Sequence, residues 1–237
     1  MRICIVSNSH LASLKLGWDA IRTRFPEIEI VFFGSPAGSI HSTRLINGKL
    51  ASETPEVRQS FMLTSGGSAE IDPQDFDTFL FYGLSLLVPR LEFGISKAVR
   101  QLVARSIASA SMALKMAKDV RSVSEKPIWL GHVPLPSLPL KTAESRVMTA
   151  YEASVATLDA VINLPQTMLL RQPPETLNDE LTTLTQYSIG AVKLLSMYEA
   201  GGHKLFRHDT KHMNSEFGAM WLEMNLPVML AASVPQA

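Results

Sequence analysis

Two short apolar runs, with a helical segment between them, constrain the fold of this chain most. Residues 2–7 contain the apolar run Ile3 to Val6, which is mostly β-branched and does not alternate with polar residues, as in a strand buried on both faces of a sheet. Residues 11–25 place apolar side chains along one helical face, and Pro26 ends that helix. The second apolar run is Ile30 to Phe33, within a predicted strand at 27–33 that is closed by the turn residues 34–38. This order predicts a βαβ unit with parallel strands and a right-handed crossover.

The same alternation continues along the chain. Apolar runs at 77–82 and 127–133 predict a third and a fourth buried strand. Helical periodicity covers residues 94–122, 144–163, 176–199 and 215–224. The pattern predicts the α/β class, as a three-layer α/β/α sandwich with a parallel, flavodoxin-like sheet of four or five strands. We expect residues 1–237 to form a single domain, with helical additions at about 94–122 and 144–199.

Residues 40–70 do not follow this alternation of strands and helices. Asn47-Gly48 stands between Leu45-Ile46 and Lys49-Leu50, and Asn-Gly is the preferred dipeptide of a type I′ hairpin turn. The segment is therefore predicted to be an inserted β-hairpin and loop.

Charge and composition narrow the range of partners. The 22 basic and 22 acidic residues balance, which gives no electrostatic reason to expect nucleic acid or a membrane surface as a partner. No apolar run approaches the ~18 residues of a membrane-spanning helix, and no signal peptide is visible, so a cytoplasmic location is expected.

The single cysteine, Cys4, is interpreted as a core residue. His203 and His208 match no ligand spacing, so neither a metal nor a cofactor is expected.

Polar residues cluster where the predicted strands end, which is where doubly wound sheets bind ligands. Ser9 follows the first strand, and Asp209 and His212 precede the final helix. A serine hydroxyl needs an adjacent base to become a nucleophile, and the base needs an acid to fix its tautomer. An Asp-x-x-His spacing lets one tight turn present both groups. We therefore predict that Ser9, His212 and Asp209 form a catalytic triad.

These residues resemble those of the SGNH, or GDSL-like, hydrolases. Ser7-Asn8-Ser9 stands where that family has Gly-Asp-Ser after the first strand, and 209–212 stands at its C-terminal Asp-x-x-His block. The matched motifs cover about ten residues, whereas the order of elements agrees over nearly the whole chain. The resemblance implies Ser9 as nucleophile, His212 as base and Asp209 as its orienting acid.

The resemblance also implies an oxyanion hole. Its glycine after the second strand corresponds to Gly34, with Gly38 as the other candidate. The family's Gly-x-Asn-Asp block is replaced here by residues 83–86, so Ser85 takes the place of the oxyanion asparagine. Loss of one oxyanion donor typically costs roughly 10²–10³ in turnover.

Further residues are predicted to line the substrate site. Asn8 and Asn214 are candidate replacements for the missing asparagine, and His10 and Gly83 are predicted to contact substrate. His132, at the end of the fourth strand, is a weaker candidate for the same role.

The expected activity is hydrolysis of an acyl or acetyl ester of a carbohydrate or small molecule, through an acyl-enzyme on Ser9. Three alternatives stay open: an O-acyltransferase on glycans that uses the same triad, a catalytically weak glycan- or partner-binding relative, and a flavodoxin-like nucleotide binder. Taken singly, Ser9 is also typical of a helix cap and His212 of a core histidine. Their joint pattern favours the triad.

Overall fold

The computed structural model describes residues 1–89, 95–137, 147–178, 181–198 and 209–233. The strands are β1 (Arg2–Ser7), β2 (Glu29–Gly34), β3 (Arg44–Ile46), β4 (Lys49–Ala51), β5 (Thr78–Tyr82), β6 (Ile128–Gly131), β7 (Thr167–Leu170), β8 (Leu177–Asn178) and β9 (Thr182–Thr183). The helices are α1 (Leu11–Ile21), α2 (Ala37–Ile40), α3 (Pro55–Ser65), α4 (Lys97–Ala110), α5 (Met112–Arg121), α6 (Val147–Asp159) and α7 (Ser215–Ser233).

The central sheet has five strands in the order β2-β1-β5-β6-β7, and every neighbouring pair is parallel. Counted by their appearance in the chain, the strands of this sheet follow the flavodoxin-like order 2-1-3-4-5, as predicted. The strand order reverses at β1, which lies between β2 and β5. The crevice beyond the carboxyl ends of β1 and β5 is therefore the place where such a sheet binds its ligand.

The alternation of side chains along β1 separates two cores. Ile3 and Ile5 pack into a cluster with residues of α1 and α7, whereas Cys4 and Val6 pack into a second cluster with residues of α3 and α5. Successive side chains of a strand point to opposite faces, so the two clusters lie on opposite sides of the sheet. The result is the predicted three-layer sandwich.

Helices α1 and α7 pack against each other at two glycines. A Cβ added at Gly17 would collide with the backbone at Gly218 and Ala219, and one added at Gly218 would collide with the Ser13 carbonyl oxygen. The two backbones are thus in direct contact. Because α1 starts two residues after Ser9 and α7 starts three residues after His212, this contact brings the two ends of the chain together.

The hairpin predicted near Asn47-Gly48 is confirmed. Strands β3 and β4 pair antiparallel, and the turn residues have φ values of 51° and 80°. The loop predicted for the rest of 40–70 is wrong in one respect, because residues 55–65 form α3. Pro55 at its first position and Gly66 in a left-handed conformation after its end are ordinary helix start and stop residues.

The second half of the chain departs further from the prediction. The fifth strand of the sheet, β7, lies between the two helices predicted at 144–163 and 176–199. The helix predicted at 176–199 is wrong, because 3₁₀ turns and the short antiparallel pair of β8 and β9 occupy this region. Thr182-Thr183 are β-branched and extended, and Gly190 has a φ of 77°, which interrupts any regular helix.

The remaining helices agree with the sequence pattern, with two changes. The stretch predicted at 94–122 is divided at Ser111, whose side chain accepts a hydrogen bond from the Leu114 N–H and so caps α5. The closing helix, α7, continues beyond the predicted end to Ser233. Within the described ranges, no helix combines the length and apolar character needed to cross a membrane.

The α1–α7 contact gives a stability prediction. Gly218→Ala is expected to lower the free energy of unfolding by about 1–3 kcal/mol, because the added methyl group collides with rigid backbone. Gly38→Ala is the matched control, since Gly38 lies in α2 with open space around it. Urea unfolding of both variants measures the effect. Equal stability of the two variants would show that the helices tolerate a wider separation.

Candidate active site

Ser9 lies in the tight turn between β1 and α1. The Leu11 N–H donates to the Asn8 carbonyl at 3.0 Å, and the His10 N–H donates to the Asn8 side-chain oxygen at 3.1 Å. An asparagine side chain that bonds the backbone two residues later is typical of such turns. The side-chain oxygen of Asn8 therefore helps to hold the turn that presents Ser9 at the end of β1.

The Asp209–His212 turn supplies the other half of the site. One oxygen of Asp209 accepts hydrogen bonds from the Lys211 N–H at 2.6 Å and the His212 N–H at 3.0 Å. The other oxygen lies 2.7 Å from His212 Nδ1, and His212 Nε2 lies 2.8 Å from Ser9 Oγ. The three side chains therefore form the continuous chain of hydrogen bonds that the sequence predicts, across 203 positions of sequence separation.

Two contacts outside the triad fix this turn. The Ser137 N–H donates to the Thr210 carbonyl at 2.6 Å, and the Asn214 N–H donates to the Tyr187 carbonyl at 2.7 Å. The Asn214 side chain donates to two further carbonyls of the same segment and accepts from the Phe217 N–H at 3.1 Å, which caps α7. The predicted oxyanion role of Asn214 is thus contradicted, because its amide is already paired.

The carboxyl group of Asp209 is suited to remain ionised. Burial alone would raise the pKa of Asp209, but hydrogen bonds from the Lys211 N–H and from the ring and N–H of His212 outweigh burial and hold the pKa below its ordinary value. An ionised Asp209 accepts the Nδ1–H of His212 and leaves Nε2 as the acceptor for the Ser9 hydroxyl.

His10 is a second histidine of the site. Its ring lies 5.0 Å from the His212 ring, between centroids, and is tilted by 30° to it. Burial, reinforced by the neighbouring His212 and opposed by Asp209, lowers the pKa of His10 to about 3. His10 Nδ1 is buried and has no hydrogen-bond partner within the described part of the chain. His10 is therefore neutral at physiological pH, with one nitrogen out of reach of water.

The turn after β5 packs against this constellation. Gly83 has a φ of 76°, and a Cβ there would lie 3.1 Å from the His10 ring and 3.3 Å from the Asn8 side-chain oxygen. Leu84 and Ser85 follow with φ values of 30° and 61°. Left-handed conformations of residues other than glycine cost on the order of 1–3 kcal/mol each and concentrate at functional sites. Ser85 is exposed at the outer end of this turn.

The structure contradicts the oxyanion role predicted for Gly34. Its N–H donates to Thr64 Oγ1 at 2.9 Å, so that donor is already paired. A Cβ at Gly34 would collide with the Leu11 side chain, which explains the glycine as a packing requirement between β2 and α1. The other candidate, Gly38, lies exposed in α2 with no atom near its Cβ position.

His132 belongs to a buried structural network. Its Nδ1–H donates to the Val133 carbonyl at 2.7 Å, and its Nε2 accepts from Tyr151 Oη at 2.8 Å. Tyr151 Oη accepts from the Gln172 N–H at 2.7 Å, and the Gln172 side chain accepts from the Leu135 N–H at 3.1 Å. Burial lowers the pKa of His132 to about 4. This network fixes the segment after β6, and both ring nitrogens of His132 are used by the protein.

An apolar cavity of about 520 Å³ adjoins the triad. His10 and Lys211, the residues next to Ser9 and His212 in sequence, contribute to its lining, and the remaining lining residues are apolar. Sequence analysis missed this cavity because its walls come from five separate segments with no shared motif. Sequence analysis also missed the hydrogen bond from the Ser137 N–H to the Thr210 carbonyl. A bond between two backbone groups leaves no pattern in the side chains of the sequence.

No group of three potential metal ligands is present among the residues that the structure describes. His203 and His208, considered in the sequence as metal candidates, lie outside the described residues.

Comparisons with known proteins give little further guidance. No protein-family model matches the chain, and no curated protein matches it significantly in sequence. The solved periplasmic domain of a lipopolysaccharide acetyltransferase from Salmonella ser. Paratyphi A aligns with 97% of this chain and 83% of its own length, at 10% identity and a TM-score of 0.46. The function has to be inferred from the site itself.

The burial of His10 gives a pH prediction. Unfolded His10 binds a proton below pH 6.5, whereas folded His10 does so only near pH 3, so the unfolded state gains stability as the pH falls between these values. The free energy of unfolding should therefore fall by up to about 1.4 kcal/mol per pH unit from this residue alone. Urea unfolding from pH 7 to pH 4 measures the slope.

His10→Gln should reduce that slope. A smaller slope should remain in the variant, because His132 is also buried and neutral, with its pKa at about 4. His41→Gln, at an exposed position, is the matched control and should leave the slope unchanged. A slope in His10→Gln equal to that of the native protein would show that His10 is protonated in the fold.

Proposed function

We propose that this protein is a serine-dependent acyl-transferring enzyme that forms an acyl-enzyme on Ser9 and releases the acyl group to water, as an ester hydrolase. The observation that carries the proposal is the hydrogen-bond chain from Asp209 through His212 to Ser9, at 2.7 and 2.8 Å. This chain lies at the reversal point of the parallel sheet, where such folds bind their ligands. A carbohydrate or small-molecule ester is the substrate class we propose.

The geometry supports one sequence of proton movements. His212 Nε2 takes the proton of the Ser9 hydroxyl as Oγ attacks the ester carbonyl carbon, and the tetrahedral intermediate carries the negative charge on its oxygen. The ionised Asp209 stabilises the imidazolium through Nδ1–H. His212 then gives this proton to the leaving alcohol as the ester C–O bond breaks. Water attacks the acyl-enzyme with His212 again as base, and the acid leaves as His212 returns the proton to Ser9 Oγ. A sugar hydroxyl in place of water would make the same site an O-acyltransferase.

Two donors are proposed for the oxyanion, neither of them Gly34 or Ser85. The Ser9 N–H lies beyond Ser7, the last residue of β1 paired in the sheet. The second is His10. A buried N–H without an acceptor costs more than an unpaired lone pair, so the unpartnered Nδ1 favours the tautomer with its proton on Nε2. Because the His10 ring contributes to the lining of the cavity, this Nε2–H is the second donor that we propose.

Substitutions in the triad test the proposal. Labelling by a fluorophosphonate probe and turnover of a nitrophenyl ester are expected in the native protein. Ser9→Ala should abolish labelling, and Asp209→Asn should lower kcat by roughly 10²–10⁴ because the imidazole loses its orienting carboxylate. Ser68→Ala, at an exposed position after α3, is the matched serine control and should leave both signals unchanged. Persistent labelling of Ser9→Ala would show that Ser9 is not the nucleophile.

A native protein that shows neither labelling nor turnover would instead support a non-catalytic binding module. Adding a sugar acceptor to the same assay separates the two acyl-transfer reactions. A transferase would form the sugar ester in preference to the free acid.

The role of His10 has its own test. His10→Leu should lower kcat by roughly 10²–10³ with little change in KM, since an oxyanion donor acts mainly in the transition state. His10→Gln, whose side-chain amide can still donate, should recover part of that loss. Retention of native kcat in His10→Leu would rule out the donor role and leave His10 as a packing residue.

A further inference from the structure

We propose that the apolar cavity beside Ser9 binds the acyl chain of the substrate, and that the protein prefers acyl groups several carbons longer than acetyl. This inference depends on the proposed function and adds to it the class of acyl group. It starts from a cavity of about 520 Å³, within the roughly 300–1,000 Å³ range of small-molecule sites.

The position of the cavity connects it to the reacting atoms. His10 follows Ser9 directly and Lys211 precedes His212 directly, and both contribute to the wall. Their polar groups therefore mark the end of the cavity that is nearest to the triad. An acyl group attached to Ser9 Oγ would begin at that end, and its chain would extend between the apolar walls.

The lining identifies the acyl chain, rather than the sugar, as the occupant. Apart from His10 and Lys211, the side chains of the wall are aliphatic or proline, among them Leu87, Val88, Val103, Ile107, Val133 and Leu135. A carbohydrate would need hydrogen-bond partners for several hydroxyl groups, and two polar side chains cannot supply them. A hydrocarbon chain needs none, and it gains free energy from each methylene removed from water.

One wall of the cavity is already fixed without a ligand. The Val133 N–H donates to the Leu86 carbonyl at 2.7 Å, and Thr183 Oγ1 donates to the Leu135 carbonyl at 2.6 Å. The Gln172 side chain also accepts from the Leu135 N–H. These bonds hold the segment after β6 in place, so little ordering is needed when a chain enters.

The other wall opens to solvent. Leu87 is 52% exposed and Val103, on α4, is 38% exposed, although both line the cavity. Isolated exposed apolar residues are ordinary, but two that face the same apolar cavity next to a candidate nucleophile form an entrance for an apolar group. Covering them by an acyl chain would remove this exposed surface from water.

A chain-length series tests the proposal. The probes are nitrophenyl esters from acetate to octanoate, used below the concentration at which they aggregate. In the native protein kcat/KM should rise by about fourfold per added methylene, as expected for burial of each group. Val103→Trp fills the cavity and should therefore lower kcat/KM for octanoate by at least about tenfold more than kcat/KM for acetate.

Val99→Trp is the matched control. Val99 is 46% exposed on the same helix but does not line the cavity, so its substitution should leave the whole series unchanged. Val103→Ser is the second variant, which makes the wall polar without adding volume and should flatten the series. Thermal unfolding of each variant confirms that the fold is retained.

The possible outcomes separate this proposal from the proposed function. Fluorophosphonate labelling at Ser9 together with a flat or falling chain-length series would overturn the acyl-chain site and leave the esterase proposal standing. Equal effects of Val99→Trp and Val103→Trp would do the same. Absence of both labelling and turnover would overturn the esterase proposal and the acyl-chain site with it.

Discussion

The contact between α1 and α7 is the constraint on which the candidate site depends. Ser9 and His212 are separated by almost the whole sequence, and each lies just before the start of one of these helices. At Gly17 and Gly218 the helix backbones touch, so no side chain separates the helices there. The 2.8 Å contact between Ser9 Oγ and the His212 ring is therefore set by helix packing as much as by the local turns.

Packing places the two turns side by side, but the orientation of each depends on hydrogen bonds to its neighbours. Asn8 closes the serine turn through its own side chain, and Asn214 ties the histidine turn to the carbonyls of residues 186, 187 and 189. Ser137 adds a bond from the segment after β6 to Thr210. Because the same segment forms a wall of the apolar cavity, the orientation of the triad and the shape of the cavity depend on shared contacts.

The sequence predicted the parts of this arrangement that have local causes. The strands β1, β2, β5 and β6, the Asn47-Gly48 turn and the Asp-x-x-His turn are each determined by residues within about one element, so periodicity and turn chemistry reveal them. Residues 176–199 were misassigned because their apolar spacing imitates a helix, while their real conformation depends on the buried partners Gln172 and Ser137. The hydrogen bond from the Gly34 N–H to Thr64 likewise joins residues far apart in sequence, and it depends on how α3 packs on β2.

The proposed donor role of His10 matters because the Gly34 N–H, the donor expected from the resemblance, is already paired. The Gly34 N–H is bonded to Thr64, and an exposed Ser85 stands in place of the asparagine that the resemblance implies. The same strained turn that carries Ser85 begins at Gly83, whose missing side chain lets the His10 ring lie against the backbone. The ring then occupies the space between the Ser9 turn and the apolar cavity. A neutral imidazole in that place adds no charge next to His212, whose Nδ1 lies 2.7 Å from the Asp209 carboxylate.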